Sequence, residues 1–219
     1  MPGTKGVIFD MDNTLLHSRI DFSAMKNEVY RFLAARRILP EPFPVARHTT
    51  ATMIEYAKSN GLSEELYEEV MRIAAQHELR GMEGAELEQG VVPLLRALRP
   101  RCALAVVTNN SFAAAVKALE ETGIAGYFDL IVGREQMTSL KPSPSGFLLV
   151  LDTFREIAPR EWLSVGDSWI DGKASATAGI PFVWYCSRGG EMHERGVHPI
   201  GRIDDIRQLM KWLGPQSAL

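Results

Sequence analysis

Cysteine is scarce in this sequence, and long apolar runs are missing from it. Only Cys102 and Cys186 occur, each beside an apolar stretch, and two thiols are too few for a disulfide framework. No apolar run approaches the length of a membrane span. The first apolar stretch meets acids at Asp10 and Asp12, so it lacks the uninterrupted apolar core of a signal peptide. We therefore expect a cytoplasmic protein with buried, reduced thiols and no membrane partner.

An excess of charge is also missing, because the net charge is -3 and the isoelectric point is near 6.0. Nothing in this balance indicates nucleic acid or an anionic membrane as a partner, so any site for an anion must be local. The five histidines neither pair at a metal-binding spacing nor accompany the cysteines, and zinc is therefore not predicted. At 219 residues, the chain can form one large domain or one domain with a smaller insertion.

The pattern of short apolar runs predicts the fold class. Five such runs, with helical stretches between them, are residues 6–9, 103–107, 130–132, 162–165 and 182–185. Strands that alternate with helices predict an α/β fold, in which a Rossmann-like parallel sheet has helices on both faces. Ser143 and Pro144 resemble the N-cap and first residue of one helix. A last amphipathic helix is predicted over residues 203–213, closed by Gly214 and Pro215.

The stretch between the first and second strands is far longer than one crossover helix. Residues 22–35, 49–60 and 64–80 each have helical character, and no strand signal interrupts them. We therefore expect a small all-helical cap at 18–83, inserted after the first strand, and a core made of residues 1–17 and 84–219. Arg47 and His48, in the cap, are candidates for contact with an acidic substrate group, with ordinary exposed side chains as the alternative.

Acidic residues follow two of the predicted strands. Asp10 and Asp12 follow the first strand, and Asp167 follows the fourth, with Asp171 one helical turn later. Ligands of open parallel sheets bind outside the carboxyl ends of the strands, which is where these acids lie. Carboxylates gathered there would repel one another unless a cation lay between them. Mg²⁺ is the cation that suits carboxylates shared with a substrate phosphate.

Groups suited to a phosphate follow the second and third strands. Thr108 and Asn109 stand between a strand and a helix, where hydroxyl, amide and backbone N–H groups can form a phosphate cradle. For Asn110 and Ser111, which come next, an ordinary capping role is the favoured interpretation. Lys141 lies in a stiff turn before Pro142, where a rigidly held ammonium can neutralise a phosphoryl group.

With these motifs in this order, the chain resembles the haloacid dehalogenase superfamily, in particular its phosphatases with a helical cap after the first strand, such as the phosphoglycolate phosphatases. The resemblance covers essentially the whole chain. It implies that Asp10 is the nucleophile and a magnesium ligand. Asp12 would lend its backbone carbonyl to the metal and its carboxyl group to general acid and base catalysis. Asp167 would complete the metal site, and Asp171 would be either a ligand through water or a partner that orients Lys141.

The same resemblance assigns Thr108, Asn109 and Lys141 to the binding of the transferring phosphoryl group. Asn13 departs from the family pattern, because members with this cap usually have glycine there. A turn that needs a positive φ would explain the preference, and asparagine is among the next most tolerant residues.

These expectations lead to a Mg²⁺-dependent phosphatase that hydrolyses a small phosphorylated metabolite through an aspartyl-phosphate. Asp12 favours phosphoryl transfer over dehalogenation, since an ester leaving group needs a proton that a halide does not. A phosphomutase acting on sugar phosphates is the enzymatic alternative. A signalling phospho-acceptor or a non-catalytic binding domain is the alternative from another class. The sequence leaves the substrate open, and the chain is expected to be a monomer or a homodimer.

Overall fold

A computed structural model describes residues 3–185 and 192–213 of the chain. Cys102 is a buried free thiol, as expected, whereas Cys186 and the predicted closing pair at 214–215 lie outside the described residues. Within the described part, no helix has both the length and the apolar character needed to cross a membrane.

The described strands form a large parallel sheet and a small antiparallel pair. Their bounds are β1 Gly6–Phe9, β2 Leu16–His17, β3 Glu86–Leu87, β4 Ala103–Val107, β5 Leu130–Val132, β6 Trp162–Gly166, β7 Phe182–Tyr185 and β8 Gly201–Ile203. The large sheet has the order β5-β4-β1-β6-β7-β8, and every neighbouring pair in it is parallel. All five predicted strands are therefore confirmed. Because β1 lies between β4 and β6, the carboxyl ends of these three strands are adjacent.

Helices cover both faces of the sheet, as the sequence predicted. The bounds of the helices are α1 Phe22–Ala35, α2 Thr50–Ser59, α3 Glu64–Met82, α4 Val91–Leu98, α5 Phe112–Glu121, α6 Ser145–Thr153 and α7 Trp169–Thr177. Successive residues of a strand point to opposite faces, so Val7 and Phe9 enter one apolar cluster and Ile8 enters another. The first cluster includes residues of α4 and α5, and the second includes residues of α6 and α7.

Helices α1, α2 and α3 lie between β1 and β4 in the chain and share an apolar cluster of their own. Val29 and Leu33, one helical turn apart on α1, are buried in this cluster beside Met53, Ile54 and Val70. The two chain connections to these helices run side by side, because β2 and β3 pair antiparallel. The inserted segment is therefore joined to the rest of the chain through a short two-stranded antiparallel sheet.

Two predicted helix positions were wrong. Instead of one helix over 203–213, strand β8 ends at Ile203 and a 3-10 helix spans Ile206–Trp212. The reason is that Ile203 pairs with Tyr185 at the edge of the sheet, while the Asp205 carboxylate caps the short helix by accepting the N–H of Arg207. Helix α6 begins at Ser145, so Ser143 is not its N-cap, and Pro144 precedes its first residue rather than being that residue.

Candidate active site

A cavity of about 580 Å³ lies at the carboxyl ends of β1, β4 and β6. The core side of this cavity includes all seven site residues predicted from the sequence: Asp10, Asp12, Thr108, Asn109, Lys141, Asp167 and Asp171. Residues of the inserted helical segment, Lys26, Arg47, His48 and Ile54 among them, line the opposite side. The cavity therefore lies between the sheet and the inserted helices.

Lys141 is the electrostatic centre of the site. Its Nζ lies 2.7 Å from Asp10 Oδ1, 2.6 Å from Asp171 Oδ1 and 2.8 Å from the carbonyl oxygen of Val107, and its side chain is 1% exposed. Burial alone would lower the pKa of Lys141, but the carboxylates of Asp10 and Asp171 outweigh it and raise that pKa above its ordinary value. The lysine is therefore a fixed positive charge whose three donors all have acceptors.

Asp10 directly follows β1, and both its backbone and its carboxylate are hydrogen-bonded. Its backbone N–H donates to the Val165 carbonyl of the neighbouring strand at 2.9 Å, and its Oδ2 accepts the Thr14 hydroxyl at 3.2 Å. Because Oδ1 also accepts a hydrogen bond from Lys141, two side-chain donors, Thr14 and Lys141, orient the carboxylate at the cavity.

Three carboxylates converge beside this lysine. Asp10, Asp167 and Asp171 each offer an oxygen, and these oxygens lie within 4.8 Å of one another. Burial raises the pKa of Asp167 well above its ordinary value, and the charges of Asp10 and Asp171 raise it further. Burial, followed by the charge of Asp10, raises the pKa of Asp171 to about 6. A hard divalent cation would remove this repulsion, so the donor set fits Mg²⁺.

Asp171 is fixed by contacts on both of its oxygens. Oδ1 accepts Lys141 Nζ, and Oδ2 accepts the backbone N–H of Ser168 at 3.1 Å. Gly166 makes this position possible, because a Cβ atom there would lie 2.7 Å from Asp171 Cβ, Cγ and Oδ2. This geometry is the one that a role in orienting Lys141 requires.

Asp12 is partly buried and is not one of the three converging carboxylates. Its Oδ2 accepts the side-chain amide of Asn110 at 2.7 Å, whereas Oδ1 is buried with no hydrogen-bond partner among the described residues. Burial and then the charge of Asp10 raise the pKa of Asp12 to about 7. Asn13 follows with φ 55, so the positive φ expected at this turn is confirmed.

The loop after β4 is closely bonded to its surroundings. The Thr108 hydroxyl accepts the backbone N–H of Asn110 at 3.1 Å. The Asn109 side-chain amide bonds to both backbone groups of Lys141, accepting its N–H at 2.8 Å and donating to its carbonyl at 3.1 Å. A phosphate contact from Asn109 would therefore come from its backbone N–H, which has no hydrogen bond to another described residue.

Sequence reasoning missed three residues around this loop. Asn110 was interpreted as part of a helix cap, but Ser111 is the N-cap of α5, while Asn110 contacts Asp12. Glu78 on α3 and Arg134 after β5 form a buried ion pair beside the loop. Arg134 and Glu78 are 56 positions apart, and no local pattern indicated that either is buried. The position of Asn110, directly after two predicted phosphate ligands, was the one available signal.

The inserted segment brings Arg47 and His48 to the cavity wall. The His48 ring lies 4.6 Å from the Phe43 ring, centroid to centroid, and burial lowers the pKa of His48. Arg195, from the core, donates to the Arg47 carbonyl at 3.2 Å. The two sides of the cavity are therefore in contact here.

Comparison with known proteins places this arrangement among hydrolases. The family model for haloacid dehalogenase-like hydrolases matches residues 7–185. The chain is 28% identical over 188 residues to a phosphoglycolate phosphatase of Rhodobacter capsulatus, covering 82% of this chain and 83% of that protein. It is also 28% identical over 226 residues to a phosphoglycolate phosphatase of Rhodospirillum rubrum, covering 98% and 93%. A haloacid dehalogenase-superfamily hydrolase from Geobacter sulfurreducens has a TM-score of 0.61 at 25% identity, covering 97% of this chain and 98% of that one.

Proposed function

The chain belongs to the haloacid dehalogenase-like hydrolase family as a phosphatase, and we propose that it hydrolyses a small phosphate monoester through an aspartyl-phosphate on Asp10, with Mg²⁺ as cofactor. The observation that carries the proposal is the convergence of Asp10, Asp167 and Asp171 on one point, with Lys141 Nζ 2.7 Å from Asp10. A nucleophile, a cation site and a fixed positive charge thus meet at one edge of the sheet.

In the first step, a carboxylate oxygen of Asp10 attacks phosphorus and forms the acyl phosphate while the bond from phosphorus to the leaving oxygen breaks. Asp12 gives its proton to that leaving oxygen, so an alcohol departs rather than an alkoxide. In the second step, Asp12 takes a proton from water, and the water oxygen attacks phosphorus. The bond between phosphorus and Asp10 then breaks, which releases inorganic phosphate and restores the carboxylate.

Three groups would hold the phosphoryl group during both steps. Lys141 supplies positive charge, Thr108 supplies its hydroxyl, and Asn109 supplies its backbone N–H. The hydrogen bonds between the Asn109 side-chain amide and the Lys141 backbone support this set, because they join the two loops that carry the three groups. The phosphoryl group would therefore meet two hydrogen-bond donors and a positive charge that are already in place.

The metal would be held by the carboxylates of Asp10 and Asp167 and by the backbone carbonyl of Asp12. When bound, Mg²⁺ offsets charge on the phosphate and helps to orient it. Asp171 would orient Lys141 or hold the metal through water. The repulsion that raises the pKa of Asp167 supports a cation at this point.

The inserted helices would supply the contacts that select the substrate. We propose that residues 18–83 form a cap over a core of residues 1–17 and 84–219, and that the substrate is enclosed between them. Arg47 and His48 would face the leaving group. Phosphoglycolate is the first substrate to test, since the similar enzymes of Rhodobacter capsulatus and Rhodospirillum rubrum are phosphoglycolate phosphatases.

The direct experiment measures inorganic phosphate released from phosphoglycolate, sugar phosphates, nucleotides and pyrophosphate, with Mg²⁺ present and withheld. We expect Mg²⁺-dependent release from at least one monoester and none from Asp10→Asn, which keeps the shape of the side chain but not the nucleophile. Asp152→Asn, at an exposed side chain, is the matched control. Substantial turnover by Asp10→Asn would contradict the assigned nucleophile. Isomer formation from a sugar phosphate without net phosphate release would show a mutase instead.

A further inference from the structure

A buried ion pair joins the inserted helices to the core beside the cavity. Arg134 Nη1 lies 2.5 Å from Glu78 Oε1, and the two side chains are 6% and 3% exposed. Arg134 also donates to the Met71 carbonyl on α3 at 3.3 Å and to the Asn109 carbonyl at 3.4 Å. The guanidinium therefore bonds at once to α3 and to the loop after β4.

The second oxygen of Glu78 bonds to the same loop. Oε2 accepts the backbone N–H of Ser111 at 3.0 Å, at the N-terminus of α5, where the helix dipole favours a negative charge. The next backbone N–H, that of Phe112, donates to Glu135 Oε2 at 2.7 Å. The first N–H groups of α5 are therefore bonded to carboxylates of the protein itself. One of these carboxylates, that of Glu78 on α3, bonds to the loop of residues 108–111 through Ser111.

The loop in turn holds Asp12. Asn110 Nδ2 donates to Asp12 Oδ2 at 2.7 Å. Because an amide N–H can only donate, Oδ2 is the acceptor in this hydrogen bond. Oδ1 is buried and has no hydrogen-bond partner among the described residues, while Asp12 as a residue lines the cavity. The Asn110 amide therefore fixes the orientation of the Asp12 carboxyl group at the cavity.

We propose that Glu78, paired with Arg134, is a positioning residue that sets the orientation of Asp12 through Ser111 and Asn110. The inference rests on the proposed function of Asp12 as the general acid. It means that a contact made by the inserted helices is required for proton delivery in the core. The positions of the cap and of the acid are therefore coupled through one loop.

A general acid has a kinetic signature that a purely structural ion pair lacks. An aliphatic leaving oxygen must receive a proton as it departs, whereas para-nitrophenolate departs without one. The ratio kcat/KM reports steps up to the first irreversible one, here the phosphorylation of Asp10, so it is insensitive to the later use of Asp12 as a base. Misplacement of the acid should therefore lower kcat/KM for the aliphatic ester far more than for the aryl ester.

The experiment compares Glu78→Gln, Asn110→Ala and the double variant on an aliphatic phosphate that the wild type hydrolyses and on para-nitrophenyl phosphate. We expect each single variant to lose roughly 10² in kcat/KM on the aliphatic ester. The loss on the aryl ester should be much smaller. The double variant should be no worse than the poorer single variant, because both changes break one chain of contacts. Glu120→Gln, at an exposed side chain near the C-terminal end of α5, is the matched control and should behave as wild type.

Thermal unfolding of each variant checks the fold. If Glu78→Gln does not fold because it leaves Arg134 unpaired, Glu78→Gln combined with Arg134→Gln takes its place, and Asn110→Ala keeps the ion pair intact. Equal losses on both esters, additive losses in the double variant, or an active Asn110→Ala would each overturn the inference while leaving the phosphatase intact. A wild-type protein that releases phosphate from no ester would overturn the proposed function and this inference together.

Discussion

The Nζ atom of Lys141 lies 2.7 Å from Oδ1 of Asp10, so the proposed nucleophile is paired with a buried ammonium. The same Nζ contacts Asp171 at 2.6 Å, and neither Lys141 nor Asp171 is appreciably exposed. The lysine thus orients the Asp10 carboxylate, and it is in place to attract an incoming phosphate. The predictions below follow from this pairing and from the carboxylates around it.

Replacing Lys141 with methionine removes the charge but keeps a long apolar side chain. We expect kcat/KM for phosphate release to fall by roughly 10²–10³, because a preorganised charge at the phosphoryl group is lost. Metal-free protein should also lose about 3–5 kcal/mol of unfolding free energy, since buried carboxylates are left unpaired. Lys117→Met, at an exposed ion pair on α5, is the control. Near wild-type activity in Lys141→Met would contradict this role.

The stability of the metal-free protein should fall as pH rises. The folded-state pKa is raised to about 7 for Asp12 and to about 6 for Asp171, against an ordinary value of 3.8. The folded state therefore binds more protons than the unfolded state between these values, so its free energy of unfolding decreases from pH 3.8 to about 7. Urea unfolding in a chelator measures this slope.

Adding Mg²⁺ should raise stability most at the alkaline end of that range, because a cation then replaces the protons. Asp12→Asn should reduce the slope of the metal-free protein. Stability that rises with pH across this range in the chelator would contradict the arrangement of acids.

Gly166→Ala should damage both the fold and the site. The new Cβ atom would lie 2.7 Å from Asp171, which is buried and cannot move away without leaving Lys141. We expect a loss of about 1–3 kcal/mol of unfolding free energy together with reduced turnover. Gly126→Ala has nothing within 4 Å of its added carbon and should change neither quantity. Denaturant unfolding and a phosphate release assay on both variants provide the comparison.

Asn13 should tolerate glycine and reject valine. Its φ of 55 is a left-handed conformation, which costs a β-branched side chain about 1–2 kcal/mol. We expect Asn13→Gly to keep stability within about 1 kcal/mol of wild type, and Asn13→Val to be less stable and less active. If Asn13→Val matched the wild type in urea unfolding, the strain at this turn would be unimportant.

Much of the fold was predictable because its signals are local. Each of the five predicted strands is a short apolar run, and burial on both faces of a parallel sheet demands such runs. Strand β8 was missed because Gly201–Ile203 is too short for a pattern to stand out from the helix signal that follows it. Pairing with β7, rather than any property of those three residues alone, makes it a strand.

The sequence alone determined which chemical groups stand at the strand ends, since Asp10, Thr108 and Asp167 each lie within two residues of a buried strand. Parallel strands bring their carboxyl ends to one edge, so the gathering of these groups follows from the order of the elements. Only the tertiary structure decided that Glu78 forms an ion pair with Arg134 and accepts the backbone N–H of Ser111. It also decided that the Asn110 side chain donates to Asp12. Those contacts depend on how α3 packs against the core, and packing between distant segments leaves no periodic trace in the chain.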